Sequence, residues 1–255
     1  MKKEEGEEKA KGEGFSLTEE YRTIINCGDL TPFRVKVEES NLLIMAQRNL
    51  EKLAEDILIK IRQELKSYIR KHPEFMYSFS PIKVEENAPY IVRLMAESSA
   101  PAGVGPMASV AGAIAEIVGK ELKRESDEVI VENGGDIFIS TAKERKVLIF
   151  AGQSPLSEKL ALAIPPGTCG VATSSGKIGH SISTGKADAA TVVARSAAVA
   201  DAFATALGNR VKSKEDIESA LEWISQLAGP NHITGAVVIM DKYAGFWGNI
   251  KVERP

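Results

Sequence analysis

One carboxylate constrains this chain more than any other residue, because it stands inside the most apolar helix that the sequence predicts. Asp201 lies within residues 196–207, where nearly every neighbour is small and apolar. A helix that is apolar on almost all sides is usually buried. Ser196 suits its N-cap and Gly208 its C-terminal stop. Asp201 must therefore be paired, hydrogen-bonded or bound to a metal, since burying a bare charge is very costly.

Two interpretations of Asp201 follow from the helix alone. Thr205 lies four residues further on, so its hydroxyl falls on the same helical face as the Asp201 carboxylate. Two hard oxygens in this position could belong to a magnesium or calcium site. The alternative is a structural carboxylate held by backbone amides or by a Lys or Arg from elsewhere, and the helix by itself favours this alternative.

The composition excludes several other classes of protein. The chain has 255 residues, and its net charge of -3 gives no general attraction to nucleic acid or to an anionic membrane. No run of residues approaches the roughly 18 apolar residues of a membrane span. Cys27 and Cys169 lie far apart without a CxxC pair, which argues against a disulfide framework or a structural zinc site. Residues 1–16 are predicted to form a disordered charged tail on a cytoplasmic protein, and residues 17–255 a single domain.

Hydrophobic periodicity predicts a mixed α+β fold with largely antiparallel sheets packed with helices. Many short strands are joined by short turns, which favours this class over a doubly wound parallel sheet. The predicted strands are residues 21–27, 33–37, 42–45, 90–95, 129–131, 137–140, 147–151, 160–164, 169–176, 190–194, 236–240 and 246–252. The predicted helices are residues 50–72, 107–123, 196–207 and 217–227.

Two turn segments carry residues suited to binding a ligand. Asn133-Gly134-Gly135-Asp136 is a strong hairpin signal, and glycine lets a ligand approach the backbone closely. Thr173-Ser174-Ser175-Gly176 offers hydroxyl donors suited to phosphate. Each segment taken by itself is most often an ordinary turn.

Taken together, four segments resemble the ApbE family in order and approximate spacing. They are Asn133-Gly134-Gly135-Asp136-Ile137, Ala172-Thr173-Ser174-Ser175-Gly176, a His180 segment ending in Thr184-Gly185, and the Asp201 helix. The resemblance covers residues 101–207 well and the N-terminal hundred residues poorly. It implies an ApbE-like fold and a magnesium-dependent flavin transferase, which uses FAD as donor and attaches FMN through phosphate to a Ser or Thr of an acceptor protein.

The resemblance also implies roles for individual residues. Asp201 and Thr205 would bind Mg²⁺ (or Ca²⁺), joined by a backbone carbonyl from residues 111–115. The remaining residues would contact the FAD or FMN: Gly134, Gly135 and Asp136 on the flavin or ribityl side, and Thr173, Ser174 and Ser175 on the adenosine or phosphate side, with Thr184 also in the cofactor site.

His180 would be the catalytic base that deprotonates the acceptor hydroxyl. The family places Asp-Pro between this His and the Thr-Gly, whereas this chain has Ser181-Ile182-Ser183.

Two hypotheses of function follow. The first is a metal-dependent flavin transferase or FAD pyrophosphatase. The second is a non-catalytic flavin- or nucleotide-binding protein, or an interaction module, on the same fold. A second copy of the chain is a further candidate partner.

Asp188 lies just before the Asp201 helix and is expected to be a solvent-exposed turn residue. The alternative is that Asp188 is an acid that supports the metal ligands from behind.

Overall fold

A computed structural model describes residues 24–25, 27–175 and 185–255 of the chain. Twelve strands occur in these residues: β1 (Ile24–Ile25), β2 (Thr31–Val37), β3 (Ser40–Ala46), β4 (Val129–Asn133), β5 (Asp136–Thr141), β6 (Arg145–Leu148), β7 (Ala161–Ile164), β8 (Gly167–Ser174), β9 (Ala189–Ala194), β10 (Ile233–Met240), β11 (Tyr243–Gly248) and β12 (Lys251–Glu253). The α-helices are α1 (Glu51–Lys71), α2 (Glu74–Tyr77), α3 (Tyr90–Ser99), α4 (Val110–Leu122), α5 (Ala197–Arg210) and α6 (Asp216–Leu227), and a 3₁₀ turn, Pro106–Ser109, leads into α4.

The strands form two sheets in which every neighbouring pair is antiparallel. Eight strands make the large sheet in the order β11-β10-β9-β8-β5-β4-β3-β2, and four make the small sheet in the order β1-β6-β7-β12. The α+β class with antiparallel sheets and packed helices is therefore confirmed.

The large sheet lies between the helices and the small sheet, so both of its faces are covered. Alternation along β3 shows this directly: Leu42 and Ile44 pack against α1, α3 and α4, whereas Leu43 and Met45 pack towards the small sheet. Further along the sheet, α5 covers β8 and β9, and α6 covers β10 and β11. Among the described residues, no helix combines the length and the apolar character that crossing a bilayer requires.

The helix predicted over residues 50–72 is confirmed as α1. The prediction of a strand over residues 90–95 was wrong. Those residues begin α3, in which Ile91, Val92 and Met95 are buried. The burial of residues one turn apart reflects a helix packed on one side, and a short apolar run cannot be separated from a strand by periodicity alone. Pro89 lies at the N-cap, where its missing amide costs the helix nothing.

The predicted final strand, residues 246–252, divides into two. Its first part belongs to β11, which pairs with β10 in the large sheet, and its second part is β12, which pairs with β7 in the small sheet. Both parts contain residues typical of strands, so composition does not reveal that the chain passes from one sheet to the other.

Candidate functional site

The candidate site forms where the first turn of α4 meets the side of α5. The amide of Gly112 donates a hydrogen bond of 2.9 Å to Oδ2 of Asp201. A Cβ atom at position 112 would lie 2.3 Å from the carbonyl oxygen of Ala197 and 2.8 Å from Cβ of Asp201. Only glycine therefore lets the two helices come close enough for this hydrogen bond.

A second carboxylate faces the same junction. Asp136 begins β5 on the face that Phe138 turns towards the helices. Burial raises the pKa of Asp136 well above its ordinary value, and the negative charges of Asp201 and then Glu132 raise it further. Burial likewise raises the pKa of Asp201 to about 7, although hydrogen bonds from the amides of Gly112 and Ala111 act in the opposite direction.

The two carboxylates thus repel one another in surroundings that disfavour either charge. A divalent cation would relieve both effects, since buried charges are tolerated when they are paired or bind a metal. Their neighbours are also oxygens: the Thr205 hydroxyl is buried one turn beyond Asp201, and Ala111 carries a main-chain carbonyl beside Gly112. Oxygen donors suit Mg²⁺ or Ca²⁺ rather than a softer metal. Within the described residues, no group of three or more His, Cys, Asp or Glu side chains comes together as a metal site.

The Gly-Gly hairpin is tied to this junction through the residue that precedes it. Gly134 and Gly135 have φ values of 65° and 101°, as a two-residue turn between β4 and β5 requires. Nδ2 of Asn133 donates a hydrogen bond of 3.2 Å to the carbonyl oxygen of Ala111. The hairpin tip therefore lies beside the start of α4. The contact is not predictable from the sequence, although Asn133 is the first residue of the Asn-Gly-Gly-Asp motif.

The predicted hydroxyl residues on β8 divide between the two faces of the large sheet. Ser174 points to the helix side, where its Oγ lies 3.7 Å from the place that a Cβ on Gly208 would occupy. This oxygen is buried and has no hydrogen-bond partner among the described residues. Thr173 points to the opposite face and forms a hydroxyl contact of 2.9 Å with Thr191. Ser175 is half-buried at the end of the strand.

The structure thus brings Asp136, Asp201, Thr205 and Ser174 to the helix-facing side of the large sheet and turns Thr173 away from them. His180 and Thr184 lie outside the described residues, so their predicted roles stay predictions. The expectation that Asp188 is exposed was wrong. Asp188 is buried, and its Oδ2 accepts a hydrogen bond of 2.6 Å from the amide of Asp241. It stabilises the turn between β10 and β11, where Asp241 adopts a φ of 55°.

Two contributors to the α4–α5 junction carry no catalytic motif and were missed by sequence reasoning. Gly112 permits the close approach, and Glu116 is a buried carboxylate that contacts the first turn of α5. The one available signal was a charged residue between small and apolar neighbours in residues 110–119, the same signal that drew attention to Asp201.

Comparison with known proteins gives relatives in both sequence and structure. A family model described as AbpE bacteria matches residues 22–252. A UPF0280 protein of Methanocaldococcus jannaschii is 40% identical over 225 residues, covering 85% of this chain and 90% of the relative. A UPF0280 protein of Methanothermobacter thermautotrophicus is 42% identical over 194 residues, covering 74% of this chain and 75% of the relative.

Among solved structures, the flavin transferase ApbE from Vibrio cholerae matches with a TM-score of 0.56 and 14% identity, covering 86% of this chain and 96% of that one. The apo flavinyl transferase ApbE of Pseudomonas stutzeri matches with a TM-score of 0.56 and 15% identity, covering 86% and 94%. At such low identity these two structures establish a shared fold.

Proposed function

We propose, from the premise that this chain belongs to the family described as AbpE bacteria, that it binds a flavin nucleotide together with a divalent metal ion and breaks the FAD pyrophosphate. The products would be AMP and FMN, with the FMN phosphate passing to a Ser or Thr hydroxyl of an acceptor protein or to water. The proposal retains the expectation of a single cytoplasmic domain over residues 17–255, with a second copy of the chain as a candidate partner.

The observation that carries the proposal is the pair of partly buried carboxylates, Asp136 and Asp201, at the α4–α5 junction. Asp136 and Asp201 both have raised pKa values, and the charge of Asp201 contributes to the shift at Asp136. A protein gains no stability from two like charges at one place, so such a pair is more common at functional sites. The fold shared with the flavin transferases of Vibrio cholerae and Pseudomonas stutzeri supports the choice of a flavin as ligand.

In this proposal Asp201, Thr205 and a carbonyl oxygen from residues 111–115 would hold Mg²⁺. When bound, this ion would neutralise the pyrophosphate charge as the phosphoanhydride breaks. The Gly134-Gly135 turn exposes main chain on which the flavin or ribityl part can rest. Ser174 offers to a phosphate or ribose oxygen its buried hydroxyl, which has no hydrogen-bond partner within the described part of the chain.

The chemical step breaks the bond between the FMN phosphorus and the oxygen that leaves with AMP, and forms a bond from that phosphorus to the acceptor oxygen. His180 accepts the proton of the acceptor hydroxyl or water, so that the attacking oxygen carries a negative charge as the new bond forms.

A second candidate function is a non-catalytic flavin- or nucleotide-binding protein, or an interaction module on the same fold. It is favoured by one observation: Ser181-Ile182-Ser183 stands where the resembled family has Asp-Pro before Thr-Gly. Saturable FAD or FMN binding without turnover would support the binding protein. Absence of binding in a folded protein would leave the interaction module.

The two candidates separate in one experiment. Purified protein is incubated with FAD and Mg²⁺, with and without Ser- or Thr-containing acceptor proteins, and AMP and FMN are measured by chromatography. The proposal expects release of AMP that chelation of Mg²⁺ stops and that Asp201→Ala abolishes. Asp56→Ala is the matched control, because Asp56 is an exposed carboxylate on α1. No release by a folded protein under any of these conditions contradicts catalysis.

A further inference from the structure

One buried carboxylate, Glu116, has no part in the proposed reaction. Glu116 lies in the middle of α4 and is only 3% exposed. Its Oε2 accepts hydrogen bonds from Oγ of Ser196, at 2.5 Å, and from the amide of Ala198, at 3.2 Å. Its Oε1 accepts one from Nζ of Lys120, at 2.6 Å. Both of its oxygens are thus engaged, and the more deeply bound one contacts the first turn of α5.

These contacts give α5 an unusual N-terminus. The first amides of a helix have no partners within the helix. Here the amide of Val199 donates to the Ser196 hydroxyl, the amide of Ala198 donates to Glu116, and Ser196 itself donates to Glu116. A negative charge at this end also suits the helix dipole. The cap of α5 is therefore completed by a side chain of another helix.

The same face of α4 carries the site. Gly112 and Glu116 are four residues apart, so they are neighbours on the helix surface. Ala197 of α5 lies against Gly112, and Ser196 and Ala198 on either side of it contact Glu116. One turn further along α5, Asp201 reaches the Gly112 amide. The position of Asp201 relative to α4 is thus fixed at one end by Gly112 and at the other by Glu116.

We propose that Glu116 is a positioning residue, which locks the start of α5 onto α4 and thereby holds the Asp201 carboxylate in place for the metal ion. The part of this inference that concerns the metal rests on the proposed function, and the part that concerns the geometry does not. Lys120 balances the charge of Glu116 from a half-exposed position, where it contacts the outer oxygen, and its side chain also interacts with Tyr90 of α3.

Matched variants separate positioning from simple stabilisation. Glu116→Ala removes the contacts to α5. Glu116→Gln keeps a carbonyl oxygen that can accept from Ser196 and Ala198. Lys120→Met removes the balancing charge, together with the Lys120 contact to Tyr90, and leaves the Glu116 contacts to α5 in place. Leu65→Ala is the stability control, because Leu65 is buried on α1 and its truncation opens a cavity without removing a hydrogen bond of the α4–α5 junction.

The first measurement is the affinity for Mn²⁺ alone, with free Mn²⁺ followed by electron paramagnetic resonance. Glu116→Ala is expected to weaken binding about 10–100-fold, as loss of a residue that orients a metal ligand commonly does. Glu116→Gln, Lys120→Met and Leu65→Ala are expected to bind as the unaltered protein does. Equal affinity in Glu116→Ala, or an equal loss in Leu65→Ala, would overturn the inference.

The second measurement needs no metal. Labelling with ¹³C-alanine and ¹⁵N-glycine selects glycines that follow an alanine, among them Gly112, whose amide resonance reports its hydrogen bond to Asp201. We expect Glu116→Ala to shift this resonance as Asp201→Ala does, and Glu116→Gln to leave it in place. An unchanged resonance in Glu116→Ala would refute positioning. If the unaltered protein binds no Mn²⁺, the metal part of the proposed function fails, and this resonance alone decides the role of Glu116.

Discussion

Replacing Asp201 by asparagine should stabilise the metal-free protein at neutral and alkaline pH, although it removes the main candidate metal ligand. Burial raises the pKa of Asp201 from 3.8 to about 7. Between these values the folded protein holds a proton that the unfolded chain has released, so the stability of the unaltered protein falls as pH rises through this window. Asparagine has nearly the same shape and no charge, so the variant lacks this contribution to the pH dependence.

The magnitude follows from the size of the pKa change. Each tenfold change in the acid constant is worth about 1.4 kcal/mol. The rise in the pKa of Asp201 on folding therefore corresponds to a destabilisation of the ionised carboxylate by about 4 kcal/mol. Asp201 is only partly buried, and solvent screening reduces this figure to about 2 kcal/mol. The free energy of unfolding of Asp201→Asn minus that of the unaltered protein should therefore be about 2 kcal/mol larger at about pH 8 than at about pH 4.5.

Urea unfolding followed by tryptophan fluorescence, after removal of metals by chelation, measures this difference at both pH values. Asp56→Asn on the exposed face of α1 is the control and should show no such pH dependence. Added Mg²⁺ should stabilise the unaltered protein at the higher pH and leave Asp201→Asn unchanged, because only the folded site binds the ion. If Asp201→Asn were destabilising by the same amount at both pH values, Asp201 would be a paired structural carboxylate and the reasoning would be refuted.

Two further predictions test the surroundings of the site and of the small sheet. Gly112→Ala should cost about 1–3 kcal/mol, the usual penalty of overpacking, because its Cβ would meet the Ala197 carbonyl at 2.3 Å; thermal unfolding measures the cost, and Mn²⁺ affinity should fall as well. Arg145→Met should cost about 3–5 kcal/mol at neutral pH, because Arg145 is 2% exposed and its guanidinium pairs with Glu128 at 2.8 Å and Asp29 at 2.6 Å. The Arg145 and Lys143 hydrogen bonds hold the pKa of Asp29 below its ordinary value, so this stabilisation is present above that value and is lost on acidification. An Arg145→Met loss that stays constant down to low pH would contradict the pairing with Asp29.

Local features of the fold could be predicted because they depend on neighbours in the sequence. The long helix α1 follows from apolar residues at helical spacing, and the β4–β5 hairpin follows from Gly134-Gly135 between two short strands. The strand predicted at residues 90–95 failed for the complementary reason. A short apolar run fits either structure, and its packing against other helices decided for α3.

The sequence by itself determined that a lone carboxylate lies in a buried helix of small residues, and its motif order predicted the family. It could not determine which groups meet that carboxylate. The tertiary structure brings Gly112 and Asp136 to Asp201, and it places Glu116 on the cap of the same helix. These residues lie far from Asp201 in the chain, and only the register of the strands and the packing of α4 on α5 brings them together. The raised pKa of Asp201 depends on that packing for the same reason, because desolvation and repulsion arise from the groups that surround a charge in space.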